Sequence, residues 1–220
     1  MRPDFFRALV SPWPWIVLAV GAAMPLLLPN YYLHILTITL VYVALASSWN
    51  IVGGIAGQIS LAHSLFVGAG AMLASALLVK LGINMWLGML MSAAVAAAIG
   101  AAVSFIDYRF RLGHLSFALI TMAFAEIAEI YVTNEEFLGG ASGLFLPKDK
   151  GDLLAFQFGG GRGVYWVMLG MAALCILVNF AILCSPLGYN LRSIRDNENA
   201  AQAIGVGLLR NKTMAMTISA

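Results

Sequence analysis

Two glutamates in the run "ALITMAFAEIAEIYV", Glu126 and Glu129, ask for an explanation first. They stand three residues apart, so on a helix they share one face. A carboxylate inside a membrane-length helix costs several kcal/mol, about 2.5–3.5 on insertion scales, unless it is paired or hydrated. The chemistry such a face offers is a cation or proton site, or a polar lining for a solute pathway. Counted from Leu115, Glu126 falls about 16 Å along the helix, near mid-membrane. Glu129 also fits a position at the outer interface, close to Asn134.

A second constellation lies in "NIVGGIAGQISLAHSLFVGAGA", Asn50–Ala71. Gly53, Gly54 and Gly57 precede Gln58, Ser60 and His63. Glycines permit breaks and close backbone approach. Irregular backbone at membrane depth survives only where protein or a water-filled cavity satisfies it. The stretch reads either as a broken segment beside a translocation pathway or as a turn leading into a tightly packed helix. In the second reading His63 is a hydrogen-bonded packing residue.

The third is "RSIRDNENAAQAIGV", Arg192–Val206, polar and helix-friendly between two apolar runs. Pro186 and Gly188 end the apolar run before it. Leu187, Leu191, Ile194, Ala201, Ile204 and Leu208 then recur at helical spacing, with Glu198 interrupting the stripe. Gly205 and Gly207 are stop signals. The pattern predicts one short amphipathic helix. It fits a helix lying on lipid or one seated in a protein groove. The mixed charge and the small Ala200–Ala201 pair favour the groove.

Other chemistries have no foothold. The phosphate-cradling G-x-x-x-x-G-K-[ST] pattern is absent, and "GGGRG" at 159–163 reads as a turn. No H-E-x-x-H, Cys/His cluster or G-x-S-x-G is present. Neither a catalytic site, a metal site nor a cofactor in this chain is expected, and the protein is not expected to be an enzyme. Cys175 and Cys184 lie nine apart in one apolar run, about 13 Å on a helix, too far for a disulfide.

The elements that must position these residues follow from composition. Of 220 residues 61% are hydrophobic and 10% charged, with mean hydropathy +0.90. So little charge cannot solvate a globule of this size. The net charge of +2 gives no footing for nucleic acid. Six apolar runs have about the length a bilayer asks for: Trp13–Pro29, His34–Val52, Ile59–Val79, Met85–Ile106, Leu115–Val132 and Val164–Cys184. A seventh starts at Thr213 and is cut off at Ala220, so the chain reads as the front portion of a longer protein. The first run follows Arg2 and Arg7 and reads as an uncleaved span. The fold class is an all-α polytopic bundle, one membrane domain over 1–220 with a polar segment at 186–212.

Basic residues set the orientation. With the N-terminus inside, Arg2, Arg7, Arg109, Arg111, Arg192, Arg195, Arg210 and Lys212 fall inside. Lys80, Lys148, Lys150 and Arg162 fall outside. The stretch Arg192–Val206 is therefore expected on the cytoplasmic side. The longest outer connection, Thr133–Gly163, reads as a cover over the outer mouth or as a tether.

Three blocks resemble a known family, the LivM-like membrane permeases of branched-chain amino acid ABC transporters. "NIVGGIAGQISLAHSLFVGAGAMLAS" is similar to its G-x-x-S-L-G-H-x-x-F-x-G-x-G-A-Y. "LSFALITMAFAEIAEIYVTNEEFLGGASGL" is similar to its T-L-A-F-G-E-I and G-G-x-x-G-L. "SPLGYNLRSIRDNENAAQAIGVGLLRNKTMAMTISA" is similar to its G-R-A-L-R-A-I-R-E-D-E-x-A-A-E-A-L-G-I. The sequence departs from the pattern at Ala62 and Ala125, where Gly is usual, at Met72 for Tyr, and at Glu129 for Arg.

The resemblance implies an importer permease in the inner membrane for branched-chain or other hydrophobic amino acids. It implies ATP on a partner ATPase, a second permease subunit and a periplasmic substrate-binding protein, all in the setting of the bilayer. It makes Leu191, Arg192, Ile194, Arg195, Glu198, Ala200, Ala201 and Gly205 a helix that couples to the ATPase. It leaves Gly53, Gly54, Gly57, Gln58, Ser60, His63 and Glu126 as pathway candidates. Alternatives are an ABC permease for urea, amides or another small polar solute, an ion-coupled secondary carrier using Glu126, and a membrane scaffold whose polar helix only docks a partner.

Overall fold

A computed structural model describes residues 12–145 and 161–220. Arg2, Arg7, Lys148, Lys150 and positions 146–160 of the long connection lie outside the described residues. The described residues form helices and no strand. In order they are α1 Pro12–Leu27, α2 Asn30–Asn50, a π-helical turn Ile51–Ile55, α3 His63–Leu81, α4 Met85–Phe110 and α5 His114–Asn134. Two 3-10 turns, Glu136–Leu138 and Gly140–Ser142, follow. Then come α6 Gly161–Leu183, α7 Pro186–Asp196, α8 Glu198–Ala203 and α9 Leu208–Ser219.

Five of these, α2 with its π turn and α3 to α6, are long and apolar enough to cross a membrane. No more than 28% of any such span is buried within the chain. Large apolar side chains such as Leu26, Leu90, Leu119 and Ile127 stand outward. In water that exposure would be untenable, and in lipid it is the expected solvent. The chain is a multi-pass membrane protein built as an all-α bundle. α1 is a shorter apolar helix of 16 residues.

Because lipid offers no hydrophobic drive between helices, small residues and polar ties set the packing. α2 lies along α6, α3 along α4, and α4 along α9. A Cβ on Gly88 would stand 3.3 Å from the Ala74 carbonyl, and one on Gly100 would stand 3.1 Å from that of Met216. Asn50 Nδ2 donates to Asn179 Oδ1 at 3.1 Å, and Asn179 Nδ2 donates in turn to the Ser47 carbonyl. Tyr165 Oη donates to the Gly21 carbonyl at 2.7 Å, joining α6 to α1.

Several expected boundaries move, and two of the shifts bear on the site. The third run does not become helix at Ile59, because Gly57 (φ 72°) turns the chain and helix resumes only at His63. The seventh begins at Leu208 rather than Thr213. Its early polar residues Asn211 and Lys212 are buried and used internally.

The sharp corner between α6 and α7 depends on Gly188. A Cβ there would lie 2.2 Å from the Ile182 carbonyl oxygen, a backbone atom. Gly188→Ala should destabilise the protein by about 2 kcal/mol or more, read as a lower thermal midpoint in detergent. Gly170→Ala, on α6 with open space around it, should leave the midpoint unchanged or raise it.

Candidate functional site

The break between α2 and α3 is a built feature. The π turn closes with Ala56 N–H donating to the Ile51 carbonyl at 3.1 Å. Gln58 N–H then reaches back to the Val52 carbonyl at 3.0 Å across left-handed Gly57, a Schellman-type stop. The non-helical residues that follow are satisfied by side chains from elsewhere. Leu61 N–H donates to Thr121 Oγ1 at 3.0 Å, Trp49 Nε1 donates to the Ser60 carbonyl at 2.9 Å, and Ala62 N–H donates to Ser60 Oγ at 3.3 Å. Irregular backbone inside a membrane bundle is tolerated on that condition alone. His63 Nε2 shares a 2.8 Å hydrogen bond with Ser219 Oγ, so it ties α3 to α9.

The polar stretch after α6 is two helices, not the single helix its periodicity predicts. Asn197 takes extended angles (φ −164°, ψ 109°), and its side chain caps α8 by accepting from Ala200 N–H at 3.0 Å. Asn is a strong helix N-cap, and here that local preference overrides the stripe. Leu191, Ile194 and Ala201 are buried inward. Ile204 falls past the end of α8 and is 77% exposed, so it leaves the stripe. Gly205 (φ 89°) follows it in the left-handed region.

Arg192 faces inward. Its Nη2 donates to the Leu183 carbonyl at 2.8 Å and its Nε to the Gly188 carbonyl at 3.2 Å. It therefore caps an orphan carbonyl at the α6 terminus and ties it to the first turn of α7. Arg195 leans on the break: its Nη1 donates to the Gly54 carbonyl at 3.1 Å. A Cβ on Gly57 would come within 2.2 Å of Arg195 Cγ. Ala200, Gln202, Ala203, Ile204 and Gly205 remain exposed.

Below this contact lies a buried ionic cluster. Lys212 Nζ of α9 stands 3.1 Å from Asp107 Oδ2 of α4 and 2.6 Å from Glu198 Oε1 of α8. Gln58 Nε2, from the break, donates to the same Asp107 Oδ2 at 2.8 Å. The Asp107 and Lys212 side chains are 1% and 4% exposed, whereas Glu198 is 37% exposed. Asp107 Oδ1 is buried with no hydrogen-bond partner among the described residues. A cavity of about 330 Å³ opens onto the cluster, with Arg111 and Tyr108 in its wall.

Four of the sequence-derived pathway candidates, Gln58 and the three glycines, belong to one turn. Ser60 and His63 continue it toward α3. Glu126 is not brought to that turn. It lines a separate cleft of about 300 Å³ between α3 and α5, with Glu129 beside it and Ser64 and Gly68 on the far wall. Both glutamates are exposed within the chain.

Asp107 and Lys212 form a buried ion pair that pattern reading misses. Asp107 sits one residue past the fourth apolar run, beside Arg109 and Arg111, and reads as a flanking charge. A signal was present, since an acid so near a membrane run is costly without a partner. Nothing in the sequence selects a lysine 105 positions away.

Residues 31–220 match the family model described as "Branched-chain amino acid transport system / permease component". The chain is 28% identical, over 93% of its length and 53% of the relative's, to the high-affinity branched-chain amino acid transport system permease protein LivM of Salmonella typhimurium. The same figures hold for LivM of Escherichia coli. A probable branched-chain amino acid transport permease protein LivM of Methanocaldococcus jannaschii is 31% identical over 66% of the chain and 41% of the relative. The chain thus spans about half the length of the first two of these relatives. No solved structure matches it.

Removing one member of a buried ion pair typically costs about 3–5 kcal/mol, while replacing both with apolar groups is often neutral. Asp107→Leu alone should therefore lower the thermal midpoint sharply. Asp107→Leu with Lys212→Met should recover most of the loss. A double variant as unstable as the single would show that the cluster is not held by this pairing.

Proposed function

The chain belongs to the branched-chain amino acid transport permease family, and from that premise we propose that it is a membrane-spanning subunit of an ATP-driven importer for branched-chain amino acids. ATP is bound and hydrolysed on separate ATPase subunits. α7 and α8 face the cytoplasm in the cell inner membrane and form the surface on which an ATPase seats. A second permease subunit completes the pathway, and a periplasmic binding protein delivers substrate.

The observation that carries this reading is the seating of α7 on the break. A helix pushed by a partner must press on something that can rearrange. Arg195 bears on Gly54 and Gly57 directly. Those positions lie in the π turn and the irregular stretch between the membrane-length helices α2 and α3, where backbone can change without unwinding a whole span. Closure of the ATPases shifts α7, α7 shifts the break, and the break reorients α2 against α3.

The seating surface is the outer side of α8 and the residues just after it. Ala200, Ala203 and Gly205 are small, and Ile204 projects beyond them. Such a profile suits a cleft better than an anionic lipid face, which favours basic amphipathic helices. Arg192, Leu191, Ile194 and Ala201 support the surface from inside. The Glu126 cleft is the best candidate for the solute path, since its polar groups face an opening between spans.

The test uses the full-length protein purified in mild detergent from its native membrane. A chain carrying a phosphate-binding motif should copurify together with a second apolar subunit. Ile204→Glu touches no internal contact and should cut the recovered ATPase at least tenfold with no drop in membrane level. Full recovery of ATPase in that variant would move the docking surface elsewhere. Recovery of no ATPase from the wild type, with leucine uptake driven by an ion gradient and lost in Glu126→Gln, would favour a secondary carrier.

A further inference from the structure

The Asp107–Lys212–Glu198 cluster does more than packing requires. Apolar residues of equal volume would hold α4, α8 and α9 together at least as well, because desolvating charges offsets most of their attraction. Charges have one property that apolar contacts lack. A hydrogen-bonded ion pair is made or broken over a displacement of about 1 Å, so it converts a graded push into two discrete arrangements.

The members of the cluster are unequally free. Asp107 and Lys212 are buried on α4 and α9, which are locked together at Gly100 against the Met216 carbonyl. Glu198 is more than a third exposed and opens a helix of six residues. That helix is flanked by extended Asn197 and left-handed Gly205, both able to absorb backbone rotation. One carboxylate is thus carried on a short, hinged element, and its cation on a helix held against α4.

We propose that Glu198 is the movable member of a latch, with Lys212 as its keeper and Gln58 as its readout in the break. This rests on the importer reading given above. With the latch closed, Lys212 bonds Glu198 and Asp107 Oδ2 together. When α8 moves outward, Glu198 leaves into the cavity, where Arg111 offers it another cation. Lys212 is not stranded, because the unpartnered Asp107 Oδ1 gives its ammonium a second acceptor. That shift of the ammonium draws on the carboxylate that Gln58 Nε2 holds. The hydrogen bond from the break is loosened in step with the helix pair, and Glu198, Lys212, Asp107 and Gln58 act as positioning residues for transport.

Glu198→Gln and Gln58→Leu cut the chain at its two ends and leave the buried pair intact. Each is built into the full-length permease, alone and together. The complete complex is reconstituted in lipid vesicles with leucine as the transported probe. Each single variant should move at least fivefold less leucine per ATP hydrolysed than wild type. The double variant should be no worse than the worse single, because both breaks interrupt one route. An unchanged leucine-to-ATP ratio in Glu198→Gln, or losses that multiply in the double variant, would overturn the latch.

A second readout does not depend on transport. The thermal midpoints of the same four proteins should form a non-additive cycle, although Glu198 and Gln58 share no direct bond. Strictly additive shifts would overturn the latch as well. Absence of an ATPase or of leucine flux in the wild type would instead count against the importer reading, and the thermal cycle would then decide the latch alone.

Discussion

A lysine ammonium taken out of water must be paired, and Lys212 is the point where that requirement organises the chain. Its neutralisation needs Asp107 from the far end of α4 and Glu198 from the start of α8. Asp107 in turn is held by Gln58 from the break between α2 and α3. One buried cation therefore ties the adjacent helices α8 and α9 to two elements remote from them in sequence, α4 and the break. The surrounding apolar faces could slide by a fraction of a turn at little cost, since lipid rewards no particular helix register. Directional bonds to a desolvated charge do not allow that freedom.

The same logic governs the break. Six residues, Gly57 to Ala62, run without helical hydrogen bonding of their own. They persist because Thr121, Trp49 and Ser60 supply the missing partners. Ser60 acts within the segment, while Thr121 and Trp49 sit on α5 and α2, so the break is only as stable as the arrangement around it. A segment stabilised by remote partners is also a segment that remote motion can change. Membrane-length helices, satisfied within themselves, lack that sensitivity. The polar cluster and the irregular backbone are thus two halves of one device, joined at Gln58.

The spans were legible in the sequence because the bilayer imposes a length and a polarity that no tertiary context can waive. Five of the six apolar runs read from composition correspond to the membrane-length helices α2–α6, and the first corresponds to α1, a shorter apolar helix. The single-helix reading of Arg192–Val206 failed for a local reason. Leu191, Ile194 and Ala201 keep helical spacing across Asn197, yet Asn197 caps a new helix instead of continuing the old one. Periodicity averages over a window and does not register one residue that changes direction. The glycines and Gln58 stood out from the residues alone as an interruption, although the same stretch read equally as a turn leading into a packed helix. The partners of Gln58 did not stand out. Asp107 and Lys212 each look like an ordinary charge flanking a span, and their meeting is decided by how α4 and α9 pack.

That packing also separates two tasks along one short helix. α8 turns Ala201 and Glu198 toward the bundle, and it leaves Ala200 and Ala203 outside. On the proposed reading the outer side meets the ATPase and the inner side meets Lys212. Alanine on both sides keeps the helix thin, so little side-chain flexibility lies between the partner's surface and the Glu198 carboxylate. A longer helix with bulky residues would absorb a push in rotamer changes before the far side felt it. Six residues between two backbone hinges instead move nearly as a rigid plug. The proposed coupling therefore depends on what α8 lacks, length and side-chain bulk, as much as on the charge it carries.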